Sequence, residues 1–321
     1  MKTSQVQLKD PAEAAARLAT LAEADPALVL VFGALPFFES PAVFDALAPG
    51  CFGRDARPGG GERAIPCDLV PKNRWSEADL ARLAAFAATL PADVIALQEV
   101  DGADAARRIF PSHAFCFTKR RQVQNVGFAI RKGLRHRCNR DYRALGLPEN
   151  DVRWGADVTI EPGTAREMRL LAVHLKASCN RDPLTHARDD CRILQRQVPV
   201  LEEWIDRRAR AGEAFGVIGD FNRRFDRERA VARDEKGAIV ALWPEIDDGD
   251  PPGADLVNPG VGHGAIGCSN GHGKRMPIDY LILGERLAGR LVPGSFRAWD
   301  YPAGGRWPDH CVISIELERE T

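Results

Sequence analysis

Apolar residues along this chain gather in short runs that end on polar ones. DVIALQEV (93–100), VGFAIR (126–131), ADVTI (156–160), RLLAVHL (169–175), FGVIG (215–219), IDYLIL (278–283) and CVISIEL (311–317) each read as a buried strand. Their length and β-branched content argue strand over helix. LVLVF (28–32) is a further strand candidate. Helical periodicity shows in three places. Asp10-Pro11-Ala12-Glu13 combines an N-cap, a proline at the first helical position and a capping-box glutamate, predicting a helix to about Glu23. Ser76 caps a second helix with Leu80, Leu83 and Phe86 on one face and Pro91 at its end. A third, from about Asp190 to Ala211, aligns Ile193, Gln197, Val198, Leu201, Trp204, Ile205 and Arg208. Pro199 is expected to kink it and Gly212 to close it. Strands and helices mix without strict alternation, which predicts an α/β fold of packed sheets flanked by helices rather than a doubly wound sheet. RPGGGER (57–63) is the best linker, dividing an N-terminal extension, 1–61, from a main domain, 62–321.

Composition narrows this only a little. The chain has 321 residues, 45% hydrophobic and 28% charged, as in an ordinary globular protein, and its net charge of −1 argues against a globally basic nucleic-acid binder. No apolar run approaches the ~18 residues of a membrane span. The N-terminus lacks the apolar core of a signal peptide, so the expected location is the cytoplasm, with an exported protein left open. Eight cysteines form no CxxC pair, which argues against a structural zinc site, and free thiols are the default.

The strand ends carry the chemistry. Glu99 follows VIALQ, His174 follows LLAV, Asp220 and Asn222 follow VIG, Asp279 opens DYLIL, and Asp309-His310 precedes CVISI. Strand ends fix side chains in place, as catalysis requires. Singly, each has a plainer reading. Asp220 and Asn222 after Gly219 suit a turn, His174 suits a satisfied partly buried histidine, Glu99 suits a surface carboxylate, and Asp309 suits a turn cap after Pro308. Asp279 differs, since a carboxylate opening an apolar run needs a partner.

Taken in order, ALQEV (96–100), VGFAIR, AVHLK (172–176), GDFNRR (219–224), IDYLIL and PDHCVISI (308–315) resemble the endonuclease/exonuclease/phosphatase superfamily over roughly 66–321. The resemblance implies two packed mixed β-sheets flanked by helices, a four-layer α/β sandwich of the deoxyribonuclease-I-like kind. It also implies hydrolysis of phosphoesters with Mg²⁺ or Mn²⁺, a hard cation bound by oxygen ligands. On that basis Glu99 is the main metal ligand and Asp309 assists. His310 is the catalytic histidine oriented by Asp279, Asp220 positions or deprotonates the attacking water, and Asn222 and His174 donate to the phosphate. Either His310 or Asp220 is the base. Asp68, in AIPCDLV (64–70), stands where the family has an asparagine near the metal. Some similar bacterial enzymes are exported, which sets a Cys179–Cys191 disulfide against two reduced thiols. Asp10–Phe32 faintly resembles the start of a FIST sensory domain; its role is left open.

Basic residues cluster between Lys119 and Arg140, and Arg223, Arg224, Arg153 and Lys176 adjoin the expected site. Cations there suit a polyphosphate backbone, so a nuclease is the leading reading. The alternatives are a phosphatase or phosphodiesterase on small or lipid phosphoesters, and a degenerate phosphate-binding module, which Asp68 motivates.

Overall fold

The computed structural model describes residues 75–318 apart from 121–123, 151, 270 and 272, together with the backbone of 52–53 and 65–66. The chain forms two compact units, Met1–Asn73 and Arg74–Thr321. In the first, β1 (Phe52–Gly53) pairs antiparallel with β2 (Ile65–Pro66). The helix expected from Asp10, the strand at 28–32, the FIST-like stretch and Asp68 lie outside the described residues.

The second unit is a sandwich. A six-stranded sheet runs in the order β10 (Leu256–Val257), β11 (Asp279–Gly284), β9 (Phe215–Asp220), β8 (Met168–His174), β7 (Ala156–Ile160), β6 (His136–Cys138). Only β8 and β9 pair in parallel within it. Opposite lies the antiparallel set β3 (Val94–Val100), β5 (Asn125–Arg131), β4 (His113–Phe117). A hairpin of β12 (Arg297–Trp299) and β13 (Val312–Ser314) completes the strands.

Alternation along β8 builds both cores. Leu170 and Ala172 pack towards Val126, Phe128 and Ile130 of β5, filling the space between the sheets. Leu171 and Val173 face the other way, onto a long helix. An earlier helix, α1 (Glu77–Ala87), starts at its expected N-cap, Ser76, which forms a capping box with Asp79. Its Phe86 packs with Tyr301 and Trp307 beside the β12–β13 hairpin. The long helix, α2 (Asp189–Arg210), buries Leu194, Val198, Leu201, Trp204 and Ile205 against the sheet. Leu194 is fully buried, whereas its neighbour Ile193 is only partly so. Pro199 lies within α2, which is helical on both sides of it, and Gly212 just beyond has φ +63°.

Two expectations change. The strand at 311–317 shortens to Val312–Ser314, with Leu317 making only an isolated bridge to Leu291. The free-thiol default fails, because the fold brings Cys116 to Cys138, Cys179 to Cys191 and Cys268 to Cys311, each pair disulfide-bonded. Periodicity cannot show such pairings, since the partners sit on separate elements. Cys51 and Cys67 lie outside the described residues. No described helix is long and apolar enough to cross a membrane.

Candidate active site

The open end of the sandwich collects the polar strand ends, and register is the reason. Parallel pairing sets His174 of β8 beside Asp220 of β9, and antiparallel pairing sets Asp220 beside Asp279 of β11. Paired residues project to the same face. His174 and Asp220 share parity with Ala172 and Ile218, which face the inter-sheet core, so the row points into the gap between the sheets. His174 Nε2 lies 3.4 Å from Asp220 Oδ2 and 3.9 Å from Glu99 Oε1, which arrives from the opposing sheet.

Backbone strain marks the same place. Glu99 has φ +57° within a bulge between Leu97 and Val100, and Asn222 has φ +52°. Gly219 has φ +140°, and a Cβ there would stand 2.1 Å from Val173 O, so only glycine permits this approach of β9 to β8. The turn reading of GDFN also holds. Asn222 N donates to Asp220 Oδ1 at 2.7 Å, while Asn222 Nδ2 donates to Leu175 O and Asp220 Oδ2.

His310 reaches the row from the loop before β13. Its Nδ1 lies 2.7 Å from Asp279 Oδ2, its carbonyl accepts from Tyr301 Oη, and the next residue, Cys311, is bonded to Cys268. One ligand-type atom each from Asp220, Asp279 and His310 falls within 4.8 Å of the others. The hydrogen bond to Asp279 pushes His310 up to about 10. Burial, then the charge of Asp279, pushes Asp220 up to about 8. The three groups could hold a cation or pass protons among themselves. Glu99, half exposed at the mouth of the gap, and the exposed Asp309 offer the hard oxygens a divalent cation takes.

The expected substrate cations are engaged within the protein. Arg223 is buried, its guanidinium bound to Cys179 O, Asp182 O and Glu228. Arg153 donates to His174 O and Leu175 O, Lys176 pairs with Asp190, and Arg224 with Asp226. Part of the basic run lies away from the site. Arg131 pairs with Asp93, at the end of β3 away from Glu99, and Arg135 pairs with Glu161. The run follows β5 to β6, so its length carries half of it to the far end of the sheet. Residues not singled out from the sequence also serve here. Tyr280 Oη donates to Arg223 O and accepts from Phe225 N, fixing the loop after Asn222, and Asp101 accepts from Gln124 N beside Glu99. The tyrosine in IDY and the cysteine after His310 were the available signals.

Solved structures share the overall architecture. The 3′ phosphatase NExo from Neisseria, bound to product DNA hairpin, matches with a TM-score of 0.51 at 14% identity, over 75% of this chain and 95% of that one. The AP endonuclease LMAP from Leishmania major matches with a TM-score of 0.52 at 18% identity, over 76% of this chain and 84% of that one. The chain has the deoxyribonuclease-I-like fold. Glu99, His174, Asp220, Asp279 and His310 meet at one end of the sandwich. No family model matches the chain, and no curated protein does.

Proposed function

We propose that the protein is a metal-assisted phosphoester hydrolase, with a nucleic-acid phosphodiester as its substrate. The row His174–Asp220–Asp279, set by strand register and completed by His310 on Asp279, carries this reading. Glu99 and Asp309 would hold the cation, Mg²⁺ or Mn²⁺, which when bound supplies charge neutralisation at the phosphoryl oxygens. The protein residues supply the rest. Asp279 keeps His310 cationic, so His310 stabilises negative charge developing on the phosphate instead of taking a proton. Asp220, buried and raised to about 8, is placed to orient water and, in its ionised form as pH rises towards 8, to accept its proton. Asn222 holds Asp220 in place through its main-chain and side-chain nitrogens.

The test is cleavage of plasmid DNA and of a chromogenic phosphodiester with Mg²⁺ or Mn²⁺, set against His310→Ala. Inactivity on both substrates, or an unaffected variant, would sink the reading. The internal pairing of Arg223, Arg224, Arg153 and Lys176 favours a second reading, a phosphatase or phosphodiesterase on small esters, which turnover of the chromogenic ester without plasmid nicking would select. The disulfides favour an oxidising compartment over the cytoplasm expected from the N-terminus.

A further inference from the structure

A second charged cavity lies away from this cleft. It occupies about 180 Å³ between the β6–β7 edge of the large sheet and the C-terminal half of α2, lined by Arg140, Tyr142, Arg169, Trp204, Arg207 and Arg208 among others. Arg169 and His174 are five residues apart on β8, or roughly 17 Å along the strand, so the cavity is distinct from the candidate active site.

Its charges do not balance internally. Two carboxylates share the lining, Asp141 and Asp157. Asp157 is committed: Arg169 binds both its oxygens at 2.8 and 3.0 Å, and Trp204 Nε1 and Asn139 Nδ2 donate to it. Asp141 accepts from the main chain of Lys119. Arg207 meets Glu203 at 3.3 Å on the exposed face of α2. No described residue pairs with Arg140. Arg208 is the key group. Its side chain is 14% exposed, its Nη1 meets Glu213, and its buried Nε has no hydrogen-bond partner. Burial, then the neighbouring Arg169, disfavours its charge. An oxyanion in the cavity would offset the crowding of Arg140, Arg169, Arg207 and Arg208.

We propose that this cavity binds a phosphate-type oxyanion, at a site separate from catalysis. The chemistry is shared by free phosphate and by a backbone phosphate of a polynucleotide. The proposal stands whether or not the catalytic reading does.

The test is titration of inorganic phosphate into the full-length protein, following the Trp204 indole N–H resonance. A saturable shift is expected. It should need about tenfold more phosphate in Arg208→Gln, the scale of one lost charge-assisted hydrogen bond. Arg140→Gln should weaken it by a smaller factor; that side chain is exposed and unpaired among the described residues, so this variant carries the test if Arg208→Gln fails to fold. His310→Ala should leave the response intact. A single-stranded oligonucleotide that displaces phosphate at Trp204 identifies the polynucleotide as the source; one without effect identifies free phosphate; both outcomes support the site. No saturable response at Trp204, equal half-saturation in wild type and folded variants, or loss of the response in His310→Ala would overturn it.

Discussion

Asp220 shows how one residue serves two ends. Its carboxylate anchors the Asn222 turn and faces the gap beside His174. Burying an ionisable carboxyl costs stability, and the sign is definite. With its folded value near 8, above the ordinary carboxylate range, the native state keeps a proton that the unfolded chain has released. Stability therefore falls as pH rises from about 4 to about 8. In metal-free protein, Asp220→Asn should melt higher than wild type at pH 8.5, match it at pH 4, and be inactive. Equal melting of the two at both pH values would contradict this account. His310→Ala should lose about 10²–10⁴ of activity while keeping the wild-type circular dichroism. Asp279→Asn should follow it, because the amide no longer holds the imidazolium.

At the scale of elements, the site depends on how closely strands approach and how loops are tied. Gly219→Ala places a methyl against Val173 O, where backbone cannot yield. It should cost upwards of about 2 kcal/mol in urea unfolding, since it combines strain with a broken strand pairing. The loop after β8 supports Asn222 and Arg223 through Leu175 O, Cys179 O and Asp182 O, and the Cys179–Cys191 bond ties it to α2. Replacing both cysteines by alanine should cost about 2–4 kcal/mol. Activity should fall further than that loss of folded protein explains. A variant whose activity only tracks its folded fraction would show the loop needs no such tie.

Across the molecule, hydrogen bonds and strand register hold the side chains of the cleft. Chelation by EDTA should therefore abolish hydrolysis while leaving secondary structure unchanged, and Mg²⁺ or Mn²⁺ should restore it. Salt separates the two substrate readings. Binding of a polynucleotide through several phosphates weakens steeply with ionic strength, whereas a small ester with one or two charges responds little. A steep fall in KM-limited rate with added salt supports the nuclease reading; a flat response supports the small-ester one.

The sequence by itself determined the elements. The runs at 93–100, 126–131, 156–160, 169–175, 215–219 and 278–283 became strands within a residue or so of their ends, because apolar runs flanked by polar residues leave few alternatives. Ser76 and Gly212 marked helix ends through local bonding and backbone geometry. The order of Glu99, His174, Asp220, Asp279 and His310 pointed to one site. What the linear chain did not contain was register and side-chain destination. Only pairing across β8, β9 and β11 brings His174, Asp220 and Asp279 into one row. Only packing turns Arg223 inward to Cys179 and Asp182, sends half the basic run to the far end of β5, and joins cysteines 12 to 43 residues apart. Local propensity acts over a few residues, whereas these contacts form only after the sheets have packed.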